Sequence, residues 1–142
     1  MTQEQKDLLL KDLCARLPYG VVIQEKCVEQ DKTFLPIKEG DRLVNIDVDA
    51  GLLTTNYGSR YYIEEVKPYL FPLSSMTEEQ KKEYNYWKHD IPVCRYEYGD
   101  AVDELELFES PESFNYLIEN HFDYYGLIPM GLALDATGLN IY

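Results

Sequence analysis

The sequence predicts an α+β fold: a single domain over residues 1–142, with an antiparallel sheet of about five to seven strands and about three helices. Three observations predict it. Short runs of period-2 apolar alternation recur between glycine- and asparagine-bearing turns. Apolar residues at helical spacing follow helix-starting residues in three separate places. Helical and strand segments mix without the strict alternation of a doubly wound sheet. The chain has the length of one domain, and no linker, repeat or low-complexity segment divides it.

The elements follow in order. Thr2 with Gln5 has the form of a capping box, and Leu9, Leu13 and Leu17 fall at i, i+4, i+8, with Leu10 and Cys14 beside them. That spacing predicts a helix from about Gln3 to Leu17, stopped by Pro18 and Gly20. Val21, Val22 and Ile23 open an extended run reaching towards Val28. Thr33 to Ile37 is a weaker strand, limited by Pro36 to an edge or a bend. From Leu43 to Val48, Val44, Ile46 and Val48 alternate with Asn45, Asp47 and Asp49, the pattern of a strand with one wet face. Ala50-Gly51 turns the chain into Leu52 to Thr55. Asn56 to Ser59 turns it again into Tyr61, Tyr62 and Ile63. This is an antiparallel meander.

Between Ile63 and Leu73, Pro68 and Pro72 argue against a regular helix or an inner strand, so an ordered apolar connector is expected. Thr77 with Gln80 repeats the capping-box form, and Glu78 and Glu79 suit the first turn of a helix running to about Lys88. Cys94, Tyr96 and Tyr98 alternate with Arg95 and Glu97. Gly99-Asp100 then turns into a second strand carrying Leu105 and Leu107. Ser110-Pro111 is a cap followed by a first-turn proline. Phe114, Leu117 and Ile118 give that helix its apolar face to about Asn120. The tail from His121 holds Gly126, Pro129, Gly131 and Gly138 and predicts irregular structure, with one short strand at Leu132 to Leu134.

Charge is distributed unevenly. From Met1 to Arg95 there are 16 acidic and 13 basic residues; from Tyr96 to Tyr142 there are 10 acidic residues and no Lys or Arg. Phosphate contacts need clustered Lys and Arg, so this composition argues against direct nucleic-acid binding and against anionic membranes. A basic protein partner is its natural complement. The alternative is a solvated face that only keeps the chain soluble. The three cysteines, Cys14, Cys27 and Cys94, form no CxxC motif, which argues against a structural zinc site and fits free thiols in a reducing compartment. The amino-terminal residues lack the pattern of a signal peptide, and no stretch approaches the ~20 apolar residues of a membrane span. The expectation is a cytoplasmic protein.

Candidate chemistry is sparse. His121 with Asp123 has the residue types of an oriented base, but no nucleophile-elbow sequence accompanies it; a helix C-terminus with a locally packed ring is the structural alternative. His89 and Cys94 are types that can form an activated thiol, although alternation places Cys94 with Tyr96 and Tyr98, as a buried structural thiol. Asp47 and Asp49 begin like a calcium loop, yet Gly51 and Gly58 occupy positions where an EF-hand needs ligands. Asp103, Glu104, Glu106 and Glu109 could supply a carboxylate pair, as almost any acidic strand could. No phosphate-binding loop or dinucleotide fingerprint occurs. The expectation is no catalytic residue, no cofactor and no metal site.

Three stretches carry a resemblance. They are Leu10 to Gly20 (LKDLCARLPYG), Ile63 to Thr77 (IEEVKPYLFPLSSMT) and Asn120 to Ile128 (NHFDYYGLI), together about a quarter of the chain. They resemble a family of small uncharacterised proteins from gut Bacteroidales and their phages or mobile elements. The last motif carries Arg in that family where this chain has Tyr125. The resemblance implies an origin and an intracellular setting and transfers no catalytic residue. Physically, each stretch is a helix end or a proline-bearing connector, of the kind that is fixed by packing against the others. Arg16 is expected to reach Asp123 or Glu64.

The functional expectation is a non-enzymatic protein-interaction module, a phage or mobile-element accessory protein binding a host or phage protein. Its contact face is expected at Tyr96, Tyr98, Glu104, Glu106, Glu109 and Glu112, with Tyr at the centre and acids at the rim. Two alternatives are an acidic nucleic-acid mimic blocking a DNA-binding protein, and a small hydrolase built on the region of His121 and Asp123.

Overall fold

A computed structural model describes residues 1–25, 41–89 and 111–142, the side chains of 85–89 excepted. The described residues form three α-helices and a six-stranded, mostly antiparallel sheet, an α+β arrangement. Helix α1 (Gln3–Arg16) begins with the expected capping box. The Gln5 N–H donates to the Thr2 hydroxyl at 3.2 Å, and the Thr2 N–H donates to the Gln5 side-chain oxygen at 3.0 Å. These bonds satisfy two donors that a helix start leaves without partners. A 3-10 turn (Leu17–Tyr19) follows, with Pro18 in its first turn.

The strands are β1 (Val22–Glu25), β2 (Asp41–Asp47), β3 (Leu52–Thr55), β4 (Arg60–Tyr62), β5 (Val66–Leu70) and β6 (Leu134–Asp135). Their order is β4-β3-β2-β1-β5-β6. All neighbours are antiparallel except β5 and β6, which run parallel. The meander β2-β3-β4 is the one the sequence predicts. Gly51 makes its first turn at φ +64°, a conformation that costs glycine little and a β-carbon more.

Two strands depart from expectation. In β2 the register slips between Leu43 and Asn45, leaving Val44 as an extra residue in the ladder. Such a bulge reverses the phase of alternation. Leu43 and Ile46 therefore pack on the core, while Val44 is 52% exposed and Val48, in the turn beyond, 58% exposed. The second departure is β5. The segment expected to be an ordered apolar connector, and not an inner strand, is a 3-10 turn (Ile63–Glu65) and then an inner strand containing Pro68. The proline is tolerated because β6 pairs only with Tyr69 and Leu70. At Pro68 that side of β5 has no β6 ladder to interrupt.

Consecutive strand residues point to opposite faces, and the core divides accordingly. Ile23 and Leu70 join Leu9 and Leu13 of α1, with Leu43, Leu53 and Leu127, on one face. Val22 and Tyr69 join Ala136 and Ile141 of the tail on the other. Fully burying Leu9 or Leu13 contributes about 1.5–3 kcal/mol each. A third cluster, Met76, Leu117 and Phe122, lies between the two remaining helices, α2 (Glu78–His89) and α3 (Pro111–Glu119). Helix α2 opens on the second predicted capping box, Thr77 with Gln80. Cys14, expected beside the apolar stripe of α1, is exposed and unpaired. Cys27, Cys94, the strand expected at 33–37 and the hairpin expected at 94–107 lie outside the described residues.

Candidate functional site

Of the expected contact residues, Tyr96, Tyr98, Glu104, Glu106 and Glu109 lie outside the described residues. Glu112 is described and exposed, in the first turn of α3, where the helix dipole favours a carboxylate. Helix α3 is held against α2 by Tyr116, whose hydroxyl donates to the Glu83 carboxylate at 2.9 Å. Burial, reinforced by that carboxylate, pushes the Tyr116 hydroxyl up to about 12. Glu119, at the other end of α3, is also exposed.

Several basic residues are engaged within the fold. Arg16 is completely buried. Arg42 donates to the carbonyls of Gly20 at 3.0 Å and Ile141 at 3.1 Å, tying the tail to β2. Lys6 pairs with Glu64, and Lys81 with Glu78. Lys11 lies 5.5 Å from the centre of the Tyr125 ring.

The region of His121 and Asp123 is a helix-ending device. The Phe122 N–H donates to the Leu117 carbonyl at 2.8 Å and the His121 N–H to the Ile118 carbonyl at 3.1 Å, the pair of bonds that defines a Schellman motif. His121 occupies its left-handed position at φ +63°, where glycine is usual. Its ring stacks on Tyr142 with centroids 3.6 Å apart, and its Nδ1 is buried with no hydrogen-bond partner among the described residues. Burial, aided by Arg16 and Arg42, lowers the imidazole from its ordinary value to about 4. It is therefore neutral at pH 7 and does not compensate the helix carbonyls by charge. Asp123 accepts from the N–H groups of Leu127 at 2.7 Å and Ile128 at 2.9 Å. No hydrogen bond joins His121 to Asp123, so the two do not form an oriented dyad.

The stretches 10–20, 63–77 and 120–128 meet at this point. The Phe71 N–H donates to the His121 carbonyl at 2.8 Å and the Asp123 N–H to the Phe71 carbonyl at 2.9 Å. Arg16 donates to the Phe122 carbonyl at 2.6 Å. Its charge partner is neither Asp123 nor Glu64 but Asp12, one turn earlier on its own helix. Burial pushes the Asp12 carboxyl above the usual carboxylate range, against the pull of Arg16 and with a further push from Asp123. Sequence reasoning missed this pair. Its signal was an Asp and an Arg at i, i+4, lying at i+3 and i+7 from Leu9 on the buried face of α1.

Asp47 accepts from the Ala50 N–H at 3.1 Å and shapes the turn after β2. Among the described residues no group of three His, Cys, Asp or Glu side chains could hold a metal ion, and no helix is long and apolar enough to cross a membrane. The carboxylates at 103–109 and the thiol of Cys94 lie outside the described residues. Comparison with protein-family models, curated proteins and solved structures finds no match for this chain.

Proposed function

We propose that this chain is a non-enzymatic protein-interaction module, an accessory protein of a phage or mobile element that binds a host or phage protein in the cytoplasm. The binding face is the acidic one carrying Tyr96, Tyr98, Glu104, Glu106, Glu109 and Glu112, and the partner surface is basic. The carrying observation is charge distribution: the 47 residues from Tyr96 onward include 10 acids and no Lys or Arg. Exposed Glu112 and Glu119 on α3 fit this reading. So does the engagement of Arg16 and Arg42 within the fold, which leaves these two less able to neutralise that face. Complementary charge speeds encounter and selects partners, while desolvated Tyr rings supply most of the binding energy.

The test is affinity capture from host lysate with the tagged chain and with a Glu104→Lys/Glu106→Lys variant, at low and high salt. The reading expects one basic protein, held at low salt, released at high salt and lost in the variant. Capture indifferent to both salt and charge reversal would remove the acidic face from the account. Competition by duplex DNA for the captured protein would reassign the face as a nucleic-acid mimic.

A further inference from the structure

A cleft of about 240 Å³ opens where β5 ends, between the first turn of α2 and the C-terminal end of α3. Phe71 and Phe122 line it, with ring centroids 6.2 Å apart. No ionisable side chain is among its described lining residues. Its polar side chains are amide and hydroxyl: Gln80, Asn120, Ser75, Thr77 and Thr137.

The two amides are half committed, in opposite senses. The Gln80 side-chain oxygen accepts from the Thr77 N–H at 2.9 Å, which leaves its NH₂ group as a donor. The Asn120 NH₂ group donates to the Tyr116 carbonyl at 2.8 Å, which leaves Oδ1 as an acceptor. Neither orientation can be reversed without facing donor to donor or acceptor to acceptor. The cleft therefore presents one fixed donor and one fixed acceptor beside the half-buried Phe71 ring.

We propose that this cleft binds an uncharged primary carboxamide, the side chain of a Gln or Asn. The ligand carbonyl accepts from Gln80 and its N–H donates to Asn120, with the amide beside the Phe71 ring. The volume lies below the ~300–1,000 Å³ of sites for drug-sized ligands, so one side chain fills it. A carboxylate of the same shape is rejected, because it has no N–H for Asn120 and no cation to meet. This site does not depend on the acidic face.

The test is an amide-resolved NMR titration of the full chain with N-acetylglutamine methylamide, against N-acetylglutamate methylamide as the charged isostere. The key variant is Gln80→Glu. It keeps the oxygen that accepts from the Thr77 N–H, since Glu serves a capping box as well as Gln, and replaces the donor with a carboxylate oxygen. The proposal expects saturable shifts at Phe71, Gln80 and Asn120 with the glutamine probe. It expects binding weaker by about tenfold or more both for the glutamate probe and for Gln80→Glu. Absence of saturable shifts at these residues would overturn it, as would equal binding of the two probes or full retention by a folded Gln80→Glu.

Discussion

Arg16 grips Asp12 with two parallel hydrogen bonds, Nε to Oδ2 at 2.7 Å and Nη2 to Oδ1 at 2.9 Å, and both side chains are fully excluded from solvent. The same Nη2 reaches the Phe122 carbonyl, 106 residues away in sequence. Through this one guanidinium the first helix is fastened to the turn that ends α3. Taking two charges out of water is costly, and the bidentate geometry and the carbonyl offset that cost only while all partners are present.

Removing one partner therefore exposes the cost. Arg16→Ala should lower unfolding free energy by about 3–5 kcal/mol, because it leaves the Asp12 carboxylate buried without its cation. Asp12→Leu combined with Arg16→Met should cost less than Arg16→Ala alone. Denaturant titration of the three proteins checks this. A loss below about 1 kcal/mol for Arg16→Ala would show that the pair is not a structural tie.

Tyr142 carries a second tie. Its hydroxyl accepts from the Val22 N–H at 3.0 Å and donates to the Tyr69 carbonyl at 2.6 Å, bridging β1 and β5 from the tail. Tyr142→Phe keeps the ring over His121 and strips both bonds. It should cost about 1–3 kcal/mol, the penalty of leaving partly buried backbone groups unpaired. Hydrogen exchange at Val22 should accelerate with it; unchanged exchange and stability would contradict the bridge.

His121 gives the fold a pH dependence of defined sign. Its folded value, about 4, lies below the ordinary 6.5, so the unfolded chain takes up the proton first as pH falls. The contribution to stability is complete above about pH 6.5 and is lost as pH falls towards 4. With allowance for the ring's partial exposure, the loss is about 1–2 kcal/mol. His121→Asn retains a residue that tolerates the left-handed backbone and removes the titration. Stability curves for the two proteins should converge between these pH values; parallel curves would contradict the assignment.

Local features of this fold were legible in the sequence and long-range ones were not. Thr2 with Gln5 and Thr77 with Gln80 marked two helix starts because a capping box is written within four residues. The turns at Gly51 and Gly58 framed the meander in the same way. Pro68 misled, because its tolerance inside the sheet depends on how far β6 extends, and β6 lies more than 60 residues away. Val44 misled because a bulge shifts the phase without changing composition. The burial of Arg16 was hidden for a related reason: a charged residue on an apolar face looks like an interruption until its partners are known. The amide cleft draws its walls from the chain just past β5, the start of α2, the turn after α3 and the tail, so no local motif announces it.

The central functional claim is most directly tested by the association rate of the captured partner with this chain as ionic strength is raised. If the acidic face steers binding, the rate falls steeply with salt, and Glu104→Lys/Glu106→Lys slows association by about tenfold or more at low salt. A rate independent of salt and unaltered by the charge reversal would contradict the acidic-face account.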